Sequence, residues 1–118
     1  MPALNFKKEF TAHIYSGKKH QTIRATRKRP IKVGDKLYLY TGMRTKKCKK
    51  IGDVVCTKAE SIVIDRRTGI IIDQKFYSLL SAKVERLAKA DGFKNKYDFL
   101  NFFISDKNPH FEGQIIYW

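Results

Sequence analysis

The chain has 118 residues, 42% of them hydrophobic, and a formal net charge of +14. That length suits one domain with one core, and no apolar run approaches the ~20 residues of a membrane-spanning helix. The start, Met1 to Phe6, shows no charged segment followed by an apolar one, so no secretion signal is expected and the cytoplasm is the default compartment.

Ala3 to Phe6 reads as a short opening strand. Lys7 to Ser16 reads as a helix, because Phe6, Phe10 and Ile14 recur every four residues on one face. Gly17 then suits the left-handed conformation that ends many helices. Gln21 to Arg24 reads as a strand that aims Ile23 at the core and Thr22 and Arg24 at the other face. Ala25 to Lys32 is a basic loop, with Pro30 biasing Arg29 toward extended geometry. Val33-Gly34-Asp35 is a turn. Lys36 to Thr41 is a strand with Leu37 and Leu39 on one side and Tyr38 and Tyr40 on the other.

Residues 43–50, MRTKKCKK, form a second basic loop with five Lys or Arg in eight positions. Two strand-like runs follow, Asp53 to Thr57 and Ser61 to Asp65. Thr68-Gly69 turns the chain into Ile70 to Asp73 as a hairpin partner. Ser81 to Asp91 reads as a helix through Val84, Leu87 and Ala88, stopped by Gly92. Asn95 caps another helix whose apolar set, Phe99, Leu100, Phe102 and Phe103, is assigned to the core. His110 to Tyr117 is a closing strand ending at Trp118. Short strands with helices beside them argue an α+β domain built on a small curved sheet or barrel.

Charge placement says more than net charge. Residues 1–50 hold fifteen Lys or Arg against two acids, Glu9 and Asp35, whereas residues 51–118 hold ten against nine. A one-sided surplus implies a polyanionic partner, and RNA or a nucleotide is expected rather than a membrane, since no basic amphipathic helix stands out. The expectation is that these cations gather around a single concavity. Cys48 and Cys56 lack both a C-x-x-C pair and a histidine at ligand spacing, so neither zinc nor any other cofactor is expected. Cys56 reads as a small core residue, and Cys48 as a thiol among lysines that favour its thiolate.

The G-K-K-x-x-T-I-R segment (Gly17, Lys18, Lys19, Thr22, Ile23, Arg24), the V-G-D turn (Val33 to Asp35), the A-x-x-D-G-F helix end (Ala88, Asp91, Gly92, Phe93) and the closing strand together resemble the ASCH domain over almost the whole chain. The resemblance implies a PUA-like β-barrel with flanking helices and RNA binding in a cleft beside it. One bacterial branch of that family is an amidohydrolase acting on acetylated cytidine, and other members are suggested ribonucleases. Carried across, the amidohydrolase lysine falls on Lys19, its threonine on Thr22 and its glutamate on Asp91. Aspartate is one methylene shorter, and a ~1 Å displacement of a catalytic group costs about two orders of magnitude in rate.

Two readings of the segment stand side by side. In one, Lys18, Lys19, Arg24, Arg27, Lys28, Arg29 and Lys32, with Arg44, Lys46, Lys47, Lys49 and Lys50, contact phosphate, Arg24 bidentately. In the other, Thr22 is a nucleophile and Lys19 its base. That requires Lys19 to remain in the turn after Gly17, since strand positions three apart face opposite ways, and to have a pKa lowered by burial or nearby charge. Asp91, an anion at a helix C-terminus, needs a compensating partner. Tyr38 and Tyr40 either stack on bases or pack under the helices. His13, His20 and His110 show no mutual metal spacing, and His20 lies nearest the segment. RNA binding is the leading expectation; hydrolysis of a modified nucleoside or of RNA is the alternative.

Overall fold

The alternation of leucine and tyrosine over residues 36–41 becomes a central strand in the computed structural model, which describes residues 2–118. In chain order the elements are β1 (Ala3–Phe6), α1 (Lys8–Tyr15), β2 (Gln21–Ala25), β3 (Lys36–Thr41), β4 (Lys49–Val55), β5 (Lys58–Asp65), β6 (Gly69–Ile72), β7 (Lys75–Tyr77), α2 (Ala82–Ala90), α3 (Lys96–Phe103) and β8 (His110–Tyr117). The eight strands form two sheets, β1-β3-β4 and β2-β8-β5-β6-β7. β1 runs parallel to β3, and the other pairings are antiparallel. The fold is α+β, as expected, but among the described residues the strands do not close into one barrel.

Adjacent isoleucines on β8 explain how one chain fills two cores. Successive strand residues face opposite ways, so Ile115 enters the cluster of Ile23, Ile62, Ile64, Val84, Leu87 and Phe99. Ile116 enters the cluster of Leu4, Phe6, Leu37, Leu39 and Cys56. The first core lies between the large sheet and helices α2 and α3. The second lies between the small sheet and α1, whose Phe10 and Ile14 pack on it. Ile23, Leu37, Leu39 and Cys56 are buried where the pattern put them.

The helix ends follow local chemistry. Asn95 caps α3 through its side chain, which accepts from the Asp98 N–H at 2.9 Å. Ser81 does the same for α2, accepting from Lys83 at 3.2 Å. Gly17 at φ +77° closes α1. Gly92, at φ +97°, follows α2, and a Cβ there would stand 2.7 Å from the Phe10 ring. Both the backbone angle and the close approach therefore demand glycine. The hairpin strand ends at Ile72 rather than Asp73, which turns with Gln74 into β7, a strand in a stretch where the sequence shows no element.

Candidate functional site

Four side chains from three separate parts of the chain meet at one cavity. β2 carries Thr22 and Arg24 on the face opposite Ile23. The turn after Gly17 carries Lys19, and the end of α2 carries Asp91. The cavity measures about 300 Å³, at the small end of ligand sites, and it fits one ring system rather than a strand. Its walls are aromatic: Phe6, Phe10, Phe93, Phe102, Phe103 and Phe111, with Asn5 and Lys7 at the edge. Several of these rings meet edge to face, for example Phe102 with Phe103 at 5.0 Å and Phe10 with Phe93 at 6.0 Å. That packing fixes the walls.

Lys19 stays outside β2, its N–H donating to the His13 carbonyl at 2.9 Å. The side chain can therefore turn inward, and it is only 3% exposed. Its Nζ donates to the Asp91 carbonyl at 2.5 Å and to Asp91 Oδ1 at 3.3 Å, and lies 4.8 Å from the Phe10 ring centre. Burial lowers the Lys19 pKa, and Asp91 opposes that shift. Burial raises Asp91 to about 6, against the pull of Lys19. Each partner is thus held closer to neutrality than in water, because desolvation penalises both charges. Gln21, buried on β2, lies against the same carboxylate and favours its charged form. Its amide nitrogen nonetheless completes no hydrogen bond.

Arg24 is part-buried and lies over the Phe6 ring at 4.7 Å. Its Nε donates to Thr22 Oγ1 at 3.1 Å and its Nη2 to the Asn5 carbonyl at 2.6 Å. The Thr22 hydroxyl therefore accepts from Arg24 and keeps its own proton to donate. Asp91 acts on Arg24 through space.

The structure corrects three expectations. Lys19 is not a solvated phosphate contact, because its ammonium is buried against Asp91. Phe102 is not a core residue: it is 52% exposed and lines the cavity, with Lys7 Nζ 4.8 Å above its ring. Third, the cations do not gather around one concavity. Arg27 and Arg29 line a second hollow with Lys36 and Asp35, and Lys18 lines a third. Lys28, Lys32, Arg44, Lys46, Lys47 and Lys49 are exposed and line no part of the aromatic cavity; exposed Lys50 pairs with Asp53 at 2.8 Å. Loop backbones that leave a sheet carry their side chains into solvent, which scatters charge that looks continuous in sequence.

Two links tie the basic loops to the cavity. Arg27 lies close enough to Arg24 to disfavour its charge. The Met43 N–H donates to Asn5 Oδ1 at 3.0 Å, and Asn5 also accepts from Arg24. Tyr38 and Tyr40 are half-buried on the face opposite Leu37 and Leu39 and do not line the cavity. Tyr38 lies between the ammoniums of Lys36 and Lys50, at 5.5 and 5.1 Å. His20 is exposed and away from the cavity.

The sequence reading missed Asn5, Lys7 and the aromatic walls. The only signal is the four-residue recurrence of Phe6 and Phe10, which places them on one face without saying that the face walls a cavity. Among the described residues no three His, Cys, Asp or Glu side chains are placed to hold a metal ion. No helix there is long and apolar enough to cross a membrane. Neither protein-family models, nor curated proteins, nor solved structures give a match to this chain.

Proposed function

We propose that this chain is an RNA-binding domain of the ASCH type, with a PUA-like arrangement in which the two sheets are the halves of an open barrel. The observation that carries the reading is the aromatic cavity with Arg24 in it, reached by both basic loops through Arg27 and Asn5. A cavity of this size takes one base, with its π-faces against phenylalanine rings. Arg24 supplies fixed donors, and the loop cations hold the backbone by charge. The exposed half of Phe102 gives an incoming base its first stacking surface.

Crosslinking tests this. Ultraviolet irradiation of the purified protein with single-stranded RNA, followed by peptide mapping, is expected to place crosslinks on Phe93 or Phe102. Crosslinks confined to residues 27–32 and 43–47 would remove the cavity from the interface, and no crosslink at all would remove RNA.

A second reading, hydrolysis of an acylated nucleoside, is favoured by one observation: Lys19, Thr22 and Asp91 line one cavity, and Lys19 has a lowered pKa. In it, a neutral Lys19 amine takes the Thr22 hydroxyl proton as the oxygen attacks the acyl carbon. The resulting ammonium returns that proton to the departing amine, and water then cleaves the acyl ester. Turnover of N-acetylcytidine that is lost in Lys19→Ala and in Thr22→Ala supports this chemistry. No turnover by the parent protein ends it.

A further inference from the structure

The hollow that Lys18 lines, also of about 300 Å³, adjoins the aromatic cavity at Lys19. Lys19 and Phe93 line both spaces and form the wall they share. The rest of the Lys18 hollow is His13, Lys18, Lys89, Gly92 and Lys94, with no carboxylate among them. Asp91, the adjacent acid, faces the aromatic cavity and is taken up by Lys19. Lys18, Lys89 and Lys94 are exposed, and none takes part in an ion pair among the described residues.

Helix ends explain part of this cluster. α1 and α2 both terminate here, and a helix C-terminus attracts cations, which accounts for His13 and Lys89 in the last turns. Lys18 and Lys94 lie beyond those turns. Three carbonyls in the last turn of each helix already accept from backbone N–H groups: Ala12, His13 and Ile14 from Ser16, Lys19 and Gly17 on α1, and Leu87, Ala88 and Lys89 from Asp91, Phe93 and Gly92 on α2. Among the described residues neither Lys18 nor Lys94 donates its ammonium to either helix end. Gly92 presents no side chain to the space between them. Ammoniums lining one acid-free hollow repel one another, and an oxyanion held between them relieves that repulsion while accepting charge-assisted hydrogen bonds.

We infer that the hollow of Lys18, Lys89 and Lys94 is a phosphate subsite, so that the ligand of the adjoining cavity is a phosphorylated nucleotide unit and not a free nucleoside. This rests on the reading of the aromatic cavity as a base site. Phe93 then stands between the base on one side and its phosphate on the other. Neither Lys89 nor Lys94 belongs to the basic loops, so the subsite is independent of them.

The test compares an equimolar mixture of the four ribonucleosides with the mixture of their 5′-monophosphates, followed by the amide resonances of Gly92 and Lys94. The monophosphates are expected to bind about 10-fold more tightly, as one charged hydrogen bond provides. That advantage is expected to vanish in Lys89→Gln/Lys94→Gln and to persist in Lys75→Gln/Lys107→Gln, which alters β7 and the loop after α3 by the same charge. Nucleoside binding with no phosphate advantage in the parent protein, or an advantage untouched by Lys89→Gln/Lys94→Gln, overturns the subsite and leaves the base site standing. Failure of nucleosides, monophosphates and RNA alike overturns both. A short random-sequence RNA separates the sources of the phosphate. If the strand binds more tightly than the monophosphates, and the same pair of substitutions lowers its log–log salt slope by about 0.7, the subsite holds a phosphate of the strand. If the strand binds no better and its slope is unchanged while the monophosphate advantage stands, it holds a free nucleotide.

Discussion

The aromatic cavity and the two basic loops both present positive charge, and they hold it by different means. At the cavity, Lys19 is buried, paired with Asp91 at 3.3 Å and enclosed by phenylalanine rings. On the loops, Arg44, Lys46 and Lys47 are exposed, so water and salt screen them and their positions are not fixed. Charge taken out of water must be compensated by geometry and can orient a ligand. Charge left in water attracts a polyanion without selecting what it holds. Under the proposed function, specificity falls to the cavity and affinity to the loops.

The contrast can be broken most forcefully at Asp91. Asp91→Ala leaves Lys19 buried without its partner and is expected to destabilise the domain by about 3 kcal/mol, as removing one member of a buried pair does. Urea denaturation reads this, and a loss under about 1 kcal/mol would mean that the pair is not held as described. Next comes Gly92→Ala. Its Cβ would fall 2.7 Å from Phe10 in a backbone conformation that L-residues rarely adopt, so a loss of about 2 kcal/mol is expected. An unchanged denaturation midpoint would contradict the close approach.

Acidity separates the two regions in a third way. The folded Asp91 carboxyl titrates near 6, above its ordinary value of 3.8. The native state therefore binds more protons than the unfolded chain between about pH 4 and 6. The stability from that group is full below the lower value and is lost as pH rises through the upper one. The stability of the parent protein relative to Asp91→Asn is expected to fall across this window and then level off. A flat difference would indicate an ordinary surface carboxylate, and one that rises with pH a carboxyl whose pairing lowers its pKa; either would contradict the burial described. Phe102→Ala is expected to cost little stability, because half the ring is exposed. It should weaken RNA binding by about 10-fold, since the base would have no ring there to stack on.

The same contrast shows what sequence carries and what it does not. Gly17, Gly92 and Asn95 mark helix ends through backbone chemistry that is local, and each is found in that role. Alternation over 36–41 reveals which leucines are buried, because strand geometry has a period of two. The need of Asp91 for a partner was apparent, since an acid at a helix C-terminus is unfavourable by itself. The sequence does not say that the partner is Lys19: the family resemblance places the two in one set, but their pairing depends on the turn after Gly17 reaching the end of α2. Phe102 was misassigned because helical periodicity groups residues by face but does not say whether the face is covered. β7 was missed because three residues carry too little pattern. Lys89 and Lys94 disappeared into a half-chain whose bases and acids nearly balance, as regional charge does not report local arrangement.

The most direct measurement is the salt dependence of single-stranded RNA binding, followed by fluorescence anisotropy between about 50 and 200 mM salt. If six phosphates are neutralised, the log–log slope of the parent protein is about −4. Lys46→Gln/Lys47→Gln is expected to make that slope shallower by about 0.7 for each phosphate no longer neutralised, with stability unchanged. Phe102→Ala is expected to lower affinity at every salt concentration without changing the slope. Flat binding in the parent protein, or a Phe102 variant indistinguishable from it, would contradict a built cavity served by solvent-screened cations on the loops.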